Sequence, residues 1–328
     1  MERLPAAPGS VFRGTEERTR VLAGALTWLA GHASLFDPPQ EDEVFTAAPE
    51  HIVPGRSRKA FGELGLALRL AHRVPALRER EDIQSLTKAW LAMARRRNIF
   101  FDARRRVHLV PLMAVALAVM NDIDTAPDPA RRALQAVLDR RFLDRTERSA
   151  WSQVDIRYYF DALGLRHGFP APDTLLRRST LLTLPALPYA QRIDLYAITH
   201  LVFHLSDFGA RPLPGLARPD LAEIRDYLAL ALAMCVAERD WDLVGELLAA
   251  RACVGGGADP VSHFAADALL EAQQPAGFIP DQSWLRGLDT TEERETAEFF
   301  AVYHPTLVAV IAVACDMAKA GPGPGAGA

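Results

Sequence analysis

Two histidines one helical turn apart, His200 and His204, followed by Asp207, form the most chemically suggestive pattern in this sequence. On a helix, residues i and i+4 project from one face. Two imidazoles and a carboxylate at that spacing are a plausible ligand set for a divalent metal, with Asp207 supplying an oxygen ligand. The same groups suit acid–base work, Asp207 then fixing a histidine tautomer. Leu201 and Val202 stand between the histidines, so this is not the His-Glu-x-x-His pattern of zinc proteases and no glutamate base is built in. The plainer explanation is that His200 is a hydrogen-bonded core residue, His204 caps the helix C-terminus and Asp207 makes a turn.

Three further groups carry candidate chemistry. Tyr303-His304-Pro305 opens an apolar run; a proline at the first helical position would make His304 an N-cap. Asp242 and Glu246 share a helix face at i, i+4, and paired carboxylates bind cations or act as acid and base. The competing explanation is that Asp240 and Asp242 complement the dipole of a helix N-terminus. Asp155, Tyr158, Tyr159 and Asp161 mix polar and aromatic character, fitting either a cavity wall or the boundary of an amphipathic helix. Cys253 precedes Gly255-Gly256-Gly257, but no Gly-Lys-Ser/Thr follows, so this is not a P-loop. A catalytic thiol there would need His263 or His304 nearby.

The elements that must position these residues are helices. Period-2 alternation is never sustained, and apolar residues recur at three- and four-residue spacing. Expected helices run from Thr15 to Gly31, Arg56 to His72, Asp82 to Arg97, Val107 to Asn121, Thr146 (as N-cap) to Leu163, Tyr189 to Leu205, Pro219 to Glu238, Trp241 to Arg251 and Pro260 to Gln274. Two more, Glu292 to Phe300 and His304 to Lys319, close the set. A short helix starts at Pro172-Asp173, and Asp128-Pro129 reads as an Asp cap followed by proline. This gives about twelve helices with short Pro/Gly connections. No composition break marks a linker, so residues 1–320 are expected to form a single helical domain, with 321–328 a low-complexity Gly/Pro/Ala tail. All-α architecture of this kind points to an α/α barrel (toroid), with an α-solenoid as the alternative.

Composition bounds the function. A formal charge of −4 argues against nucleic acid or an anionic membrane surface as partner. The runs Arg95-Arg96-Arg97 and Arg104-Arg105-Arg106 suit helix ends. Cys235, Cys253 and Cys315 are widely spaced and odd in number, which fits a reducing, cytoplasmic setting. The apolar stretch Val107 to Met120 is too short to span a bilayer. No signal peptide is evident at the N-terminus.

The segment Leu269-Leu270-Glu271-Ala272-Gln273-Gln274-Pro275-Ala276-Gly277-Phe278-Ile279 resembles the end of an inner helix in α/α-toroid proteins such as terpene cyclases. In that resemblance the Gln amide ties one helix end to a neighbour, Gly supplies the turn and the aromatic packs between helices. The toroid likeness implies that Tyr303 and His304 face a central cavity and join His200 there. Neither the Asp-x-Asp-Asp nor the Asp-Asp-x-x-Asp run of terpene cyclases is present, so terpene ionisation by those routes is not supported. Thr199-His200…Asp207-Phe208-Gly209 and Tyr303-His304-Pro305-Thr306-Leu307-Val308 resemble a helical domain-of-unknown-function family of GC-rich bacteria, associated with secondary metabolism. The resulting expectation is a tailoring cyclase or lyase acting on a hydrophobic small molecule, with His200, Asp207, Asp242, Tyr303 and His304 lining the site and a divalent metal as candidate cofactor. A non-catalytic scaffold that binds a carrier protein is the alternative. A carbohydrate-active barrel ranks last, for want of a clear carboxylate pair across a cleft and of aromatic platforms.

Overall fold

Proline and acidic residues set where most helices begin, and tertiary packing decides the exceptions. The computed structural model describes residues 10–38, 54–96, 109–124, 126–287 and 294–319. Among these residues every regular element is helical. The longer ones are α1 (Thr15–Gly31), α2 (Pro54–His72), α4 (Glu81–Arg96), α5 (Val110–Ile123), α6 (Asp128–Leu138), α7 (Ala150–Ala162), α9 (Arg192–Leu205), α10 (Arg218–Glu238), α11 (Trp241–Cys253), α12 (Pro260–Ala272) and α14 (Arg294–Lys319). Three short helices stand between them: α3 (Pro75–Arg78), α8 (Pro172–Arg177) and α13 (Gln282–Leu285). Several residues named from the sequence lie outside the described residues: Arg97, Arg104-Arg105-Arg106, Val107, Glu292 and the 321–328 tail.

The chain divides into two compact units, Ala30–Ala171 and the combination of Met1–Leu29 with Pro172–Ala328. In the first of these, α5 is buried along most of its length, as its near-continuous apolar run requires. Trp90 stacks on Phe61 at 4.9 Å and its indole donates to the Phe61 carbonyl at 2.9 Å. Buried Arg69 donates to the Tyr158 hydroxyl at 3.0 Å and pairs with Asp122. Two helix caps differ from expectation. Pro127, extended at φ −66° and ψ 119°, takes the cap position, so Asp128 is already the first helical residue, where its charge suits the dipole. Ser149 rather than Thr146 caps α7, accepting from the Ser152 amide at 3.3 Å; Thr146 instead donates to the Phe142 carbonyl and closes the preceding turn.

The other unit is organised around α11, in which every residue from Asp242 to Cys253 is buried. The α10–α11 turn is made by Arg239 at φ 55°, and Asp240 caps α11 by accepting from Leu243 N. α14 lies against α11 in the same sense, since Asp242 meets His304 and Gly245 meets Val308. Gly245 permits this approach: a Cβ there would lie 2.8 Å from Val308 Cγ1. The two helices expected at the C-terminus are one. Pro305 sits inside α14, so His304 is an interior helical residue and not an N-cap. A proline there removes one helical hydrogen bond and costs roughly 3 kcal/mol, which the burial of almost the whole following run outweighs. The Thr306 hydroxyl adds support by donating to the Val302 carbonyl at 2.7 Å and accepting from Ile279 N at 2.9 Å. Among the described residues α14 is long and apolar enough to cross a membrane; 83% of its most apolar window is buried inside the fold, the pattern of a core helix.

The Gln273–Phe278 turn performs the physical roles expected of it. Gln273 Nε2 donates to the Val21 carbonyl of α1 at 3.0 Å and to the Gly277 carbonyl at 2.8 Å. Gly277 is left-handed at φ 101°, and a Cβ there would come 2.2 Å from the Gly24 carbonyl oxygen. Phe278 packs edge-on to both Trp28 and Trp284.

Candidate functional site

Three helices of one unit bring their polar residues together. α9 is apolar and buried over most of its length, but Arg192, Tyr196 and His200 recur at i, i+4 and i+8 with Thr199 beside them. They form a polar stripe along one face of that helix. Asp194 closes the N-terminus by accepting from Gln191 N at 2.9 Å, so the helix starts in fixed register. α11 faces this stripe with Asp242 and Glu246, and α14 adds His304.

Glu246 is the centre of the cluster. Its Oε1 lies 3.7 Å from His200 Nε2 and 3.8 Å from His304 Nε2, and its Oε2 accepts from the Thr199 hydroxyl. Asp242 Oδ1 lies 3.3 Å from His304 Nε2, while Oδ2 accepts from the Tyr196 hydroxyl and, at 3.5 Å, from Arg192. Arg192 also holds Asp240 at 2.7 Å through Nε. The carboxylates are deep, with side chains 10% and 4% exposed for Asp242 and Glu246, whereas the imidazoles of His200 and His304 keep 30% and 22%. Each ring is therefore partly open to solvent above a buried acid, although its Nδ1 is buried.

The two acids are driven in opposite directions. Burial pushes the Glu246 carboxyl up, but the two imidazoles outweigh it and hold the group well below the ordinary glutamate range, so it is ionised. Burial also raises Asp242; His304 opposes, the negative charge of Glu246 adds to the rise, and the net result lies above the usual aspartate value. Burial and Asp242 together raise the Tyr196 hydroxyl, which keeps it a neutral donor. The result is one firmly ionised carboxylate, one carboxyl that retains a proton more readily, and two imidazoles, His200 beside Glu246 and His304 beside both acids (a constellation able to accept a proton at one point and deliver one at another).

The structure thus gathers His200, Asp242 and His304 of the residues singled out in the sequence, together with Glu246. Asp242 and Glu246 do more than complement a dipole; Asp240 fills that capping role. Asp207 is elsewhere, in a left-handed turn with Phe208 and Gly209 at φ 51°, 53° and 82°. Among the described residues it belongs to no set of three or more potential ligand atoms lying within 4.8 Å of one another. His204 is buried, with Nδ1–H donating to the His200 carbonyl at 3.0 Å and its ring edge-on to Phe208. Tyr303 is buried in an aromatic stack on Phe299 at 5.3 Å. Asp155, Tyr158, Tyr159 and Asp161 sit on α7 in the other unit, where Asp161 pairs with His167 and Arg157, each at 2.9 Å. Cys253 is a buried free thiol at the end of α11. Tyr196 and Arg192 were not singled out from the sequence; the i, i+4, i+8 polar stripe on an apolar helix was the signal that marks them.

No curated protein and no solved structure matches the chain. A family model described as Domain of unknown function (DUF6895) matches residues 22–314, a span that contains every member of the cluster, and the chain belongs to that family.

Proposed function

We propose that this protein is an enzyme of proton-transfer chemistry, a lyase or cyclase acting on a hydrophobic small molecule, with the reaction taking place at the exposed edges of His200 and His304. The observation that carries the reading is the shared approach of both imidazoles to one oxygen of buried Glu246, with Asp242 3.3 Å from the second ring. Two carboxyl groups whose surroundings separate their acidities are the usual means of running acid and base steps at one pH. Glu246 stays ionised and stabilises a protonated imidazole, His200 and His304 exchange protons with substrate, and Asp242 with Tyr196 orients His304. A toroidal arrangement of the helices, suggested by the Leu269–Ile279 resemblance, is part of this proposal, as is a place in secondary metabolism.

The test compares small-molecule profiles of cells expressing the wild type, His200→Ala and His304→Ala, with circular dichroism confirming that the variants fold. The expected result is a product present with the wild type and lost with each variant. An unchanged profile from both variants overturns the proposal. A binding module is the second reading, favoured by the exposure of Tyr189 (86%), Leu230 (62%) and Phe264 (59%). It predicts capture of a carrier protein by wild type and His304→Ala alike. Elemental analysis of the purified protein tests for a bound divalent metal; Asp207 stands apart from His200 and His204, so those three do not form one ligand set.

A further inference from the structure

A cleft of about 400 Å³ opens where α11 ends, bordered by Cys253, Val254 and Gly255, by the 209–216 loop after α9, and by Lys319 at the end of α14. Its charge is one-sided. Arg211, Arg225 and Lys319 line it and no Asp or Glu does, in a chain whose net charge is −4. Among the described residues none of the three cations lies within salt-bridge distance of a carboxylate, and neither Arg211 nor Lys319 makes a side-chain hydrogen bond.

Cations do gather at helix C-termini, and that accounts for part of the arrangement. Arg225 spends Nε and one terminal nitrogen on the Val254 carbonyl, at 2.8 and 2.5 Å, and so caps α11. Each helix end carries only about half a negative charge, however, so three full positive charges leave a surplus. The backbone is also cut away beneath them. Gly209 and Gly255 are left-handed, at φ 82° and 68°. A Cβ at Gly209 would come 2.9 Å from Lys319 Cε, and one at Gly255 would come 3.2 Å from the Arg225 guanidinium. The glycines therefore seat the basic side chains against the main chain. Leu213, Leu216 and Leu221 supply an apolar wall.

We propose that this cleft binds a soluble phosphate monoester with an apolar substituent, the phosphate held by Arg211, Arg225 and Lys319 and the substituent lying on the three leucines. A phosphate monoester carries about −1.5 to −2 at pH 7, which matches three cations lining one cleft better than a carboxylate does. This site is separate from the carboxylate–imidazole cluster and does not rest on the activity proposed there.

The test is equilibrium binding of phenyl phosphate and of inorganic phosphate to the full chain, with Arg211→Gln, Lys319→Gln and the double variant. Both substituted residues are exposed, so the variants should fold, and their thermal midpoints without ligand check this. Phenyl phosphate should bind more tightly than inorganic phosphate, each single variant should weaken it about tenfold, and added salt should weaken it further. Undetectable binding of phenyl phosphate, or unchanged affinity in the double variant, overturns the proposal. Sedimentation with phosphatidic acid vesicles is the control arm. Binding of phenyl phosphate without sedimentation supports a soluble ligand; sedimentation without phenyl phosphate binding overturns it in favour of a lipid headgroup.

Discussion

Replacing Glu246 with glutamine removes one negative charge from beneath two imidazoles while keeping the side chain's shape and an acceptor for the Thr199 hydroxyl. Glu246 Oε1 lies 3.7 and 3.8 Å from the His200 and His304 Nε2 atoms. Unit charges about 4 Å apart attract by ~1 kcal/mol in water and ~4 kcal/mol at an effective dielectric constant near 20. Both rings keep a solvent-facing edge, so the coupling falls between those limits, at roughly 1.5–3 kcal/mol, equivalent to about 1–2 pH units per ring. Removing the anion disfavours the protonated ring, so the titration midpoint of each falls. Asp242 stays 3.3 Å from His304 and moderates the change on that side, which makes His200 the more responsive ring. Proton NMR of the histidine ring signals across the neutral pH range is the assay, with His200→Gln and His304→Gln spectra providing assignments. The wild-type and Glu246→Gln proteins should differ at two signals and agree at the other histidines. If both midpoints move by less than about 0.3 unit, or move upward, the charge coupling on which the site is built does not exist.

Two other predictions concern stability. Burial raises the Asp242 carboxyl above its unfolded value. Between the ordinary carboxylate range and that raised value the native state binds the extra proton, so Asp242 withdraws stability as pH increases through this window. Denaturant melts of the wild type and Asp242→Asn across that range should therefore diverge in favour of the variant as pH rises, and a constant difference counts against the assignment. Gly245→Ala places a Cβ 2.8 Å from Val308 Cγ1. The overpacking of about 1–3 kcal/mol exceeds the roughly 1 kcal/mol gained in helix propensity, so the thermal midpoint falls, and Val308→Ala in the same chain recovers much of the loss. A Gly245→Ala variant as stable as the wild type would show that the α11–α14 approach is looser than described.

Local spacing and punctuation carried the secondary structure. The stripe of Val21, Leu22, Ala25, Leu26 and Leu29 turns inward on α1 as its three- and four-residue spacing demands. Gln273, Gly277 and Phe278 take the parts their chemistry suits, because a left-handed turn and an amide cap are local requirements. The placement of Pro305 was not local. A proline before a buried apolar run reads as a helix start, and only the packing of α14 against α11, with Thr306 tied to Ile279, keeps the helix continuous through it.

The candidate site divides in the same way. Spacing alone put Asp242 with Glu246 on one face and His200 with His204 on another, because 3.6 residues per turn fixes which side chains share a helix face. It says nothing about which faces meet. Rotation of α9 about its axis, the close approach allowed by Gly245 and the continuity of α14 through Pro305 are settled by long-range packing. That packing brings His200 and His304 over Glu246, recruits Tyr196 and Thr199, and leaves Asp207 and Tyr303 apart from them.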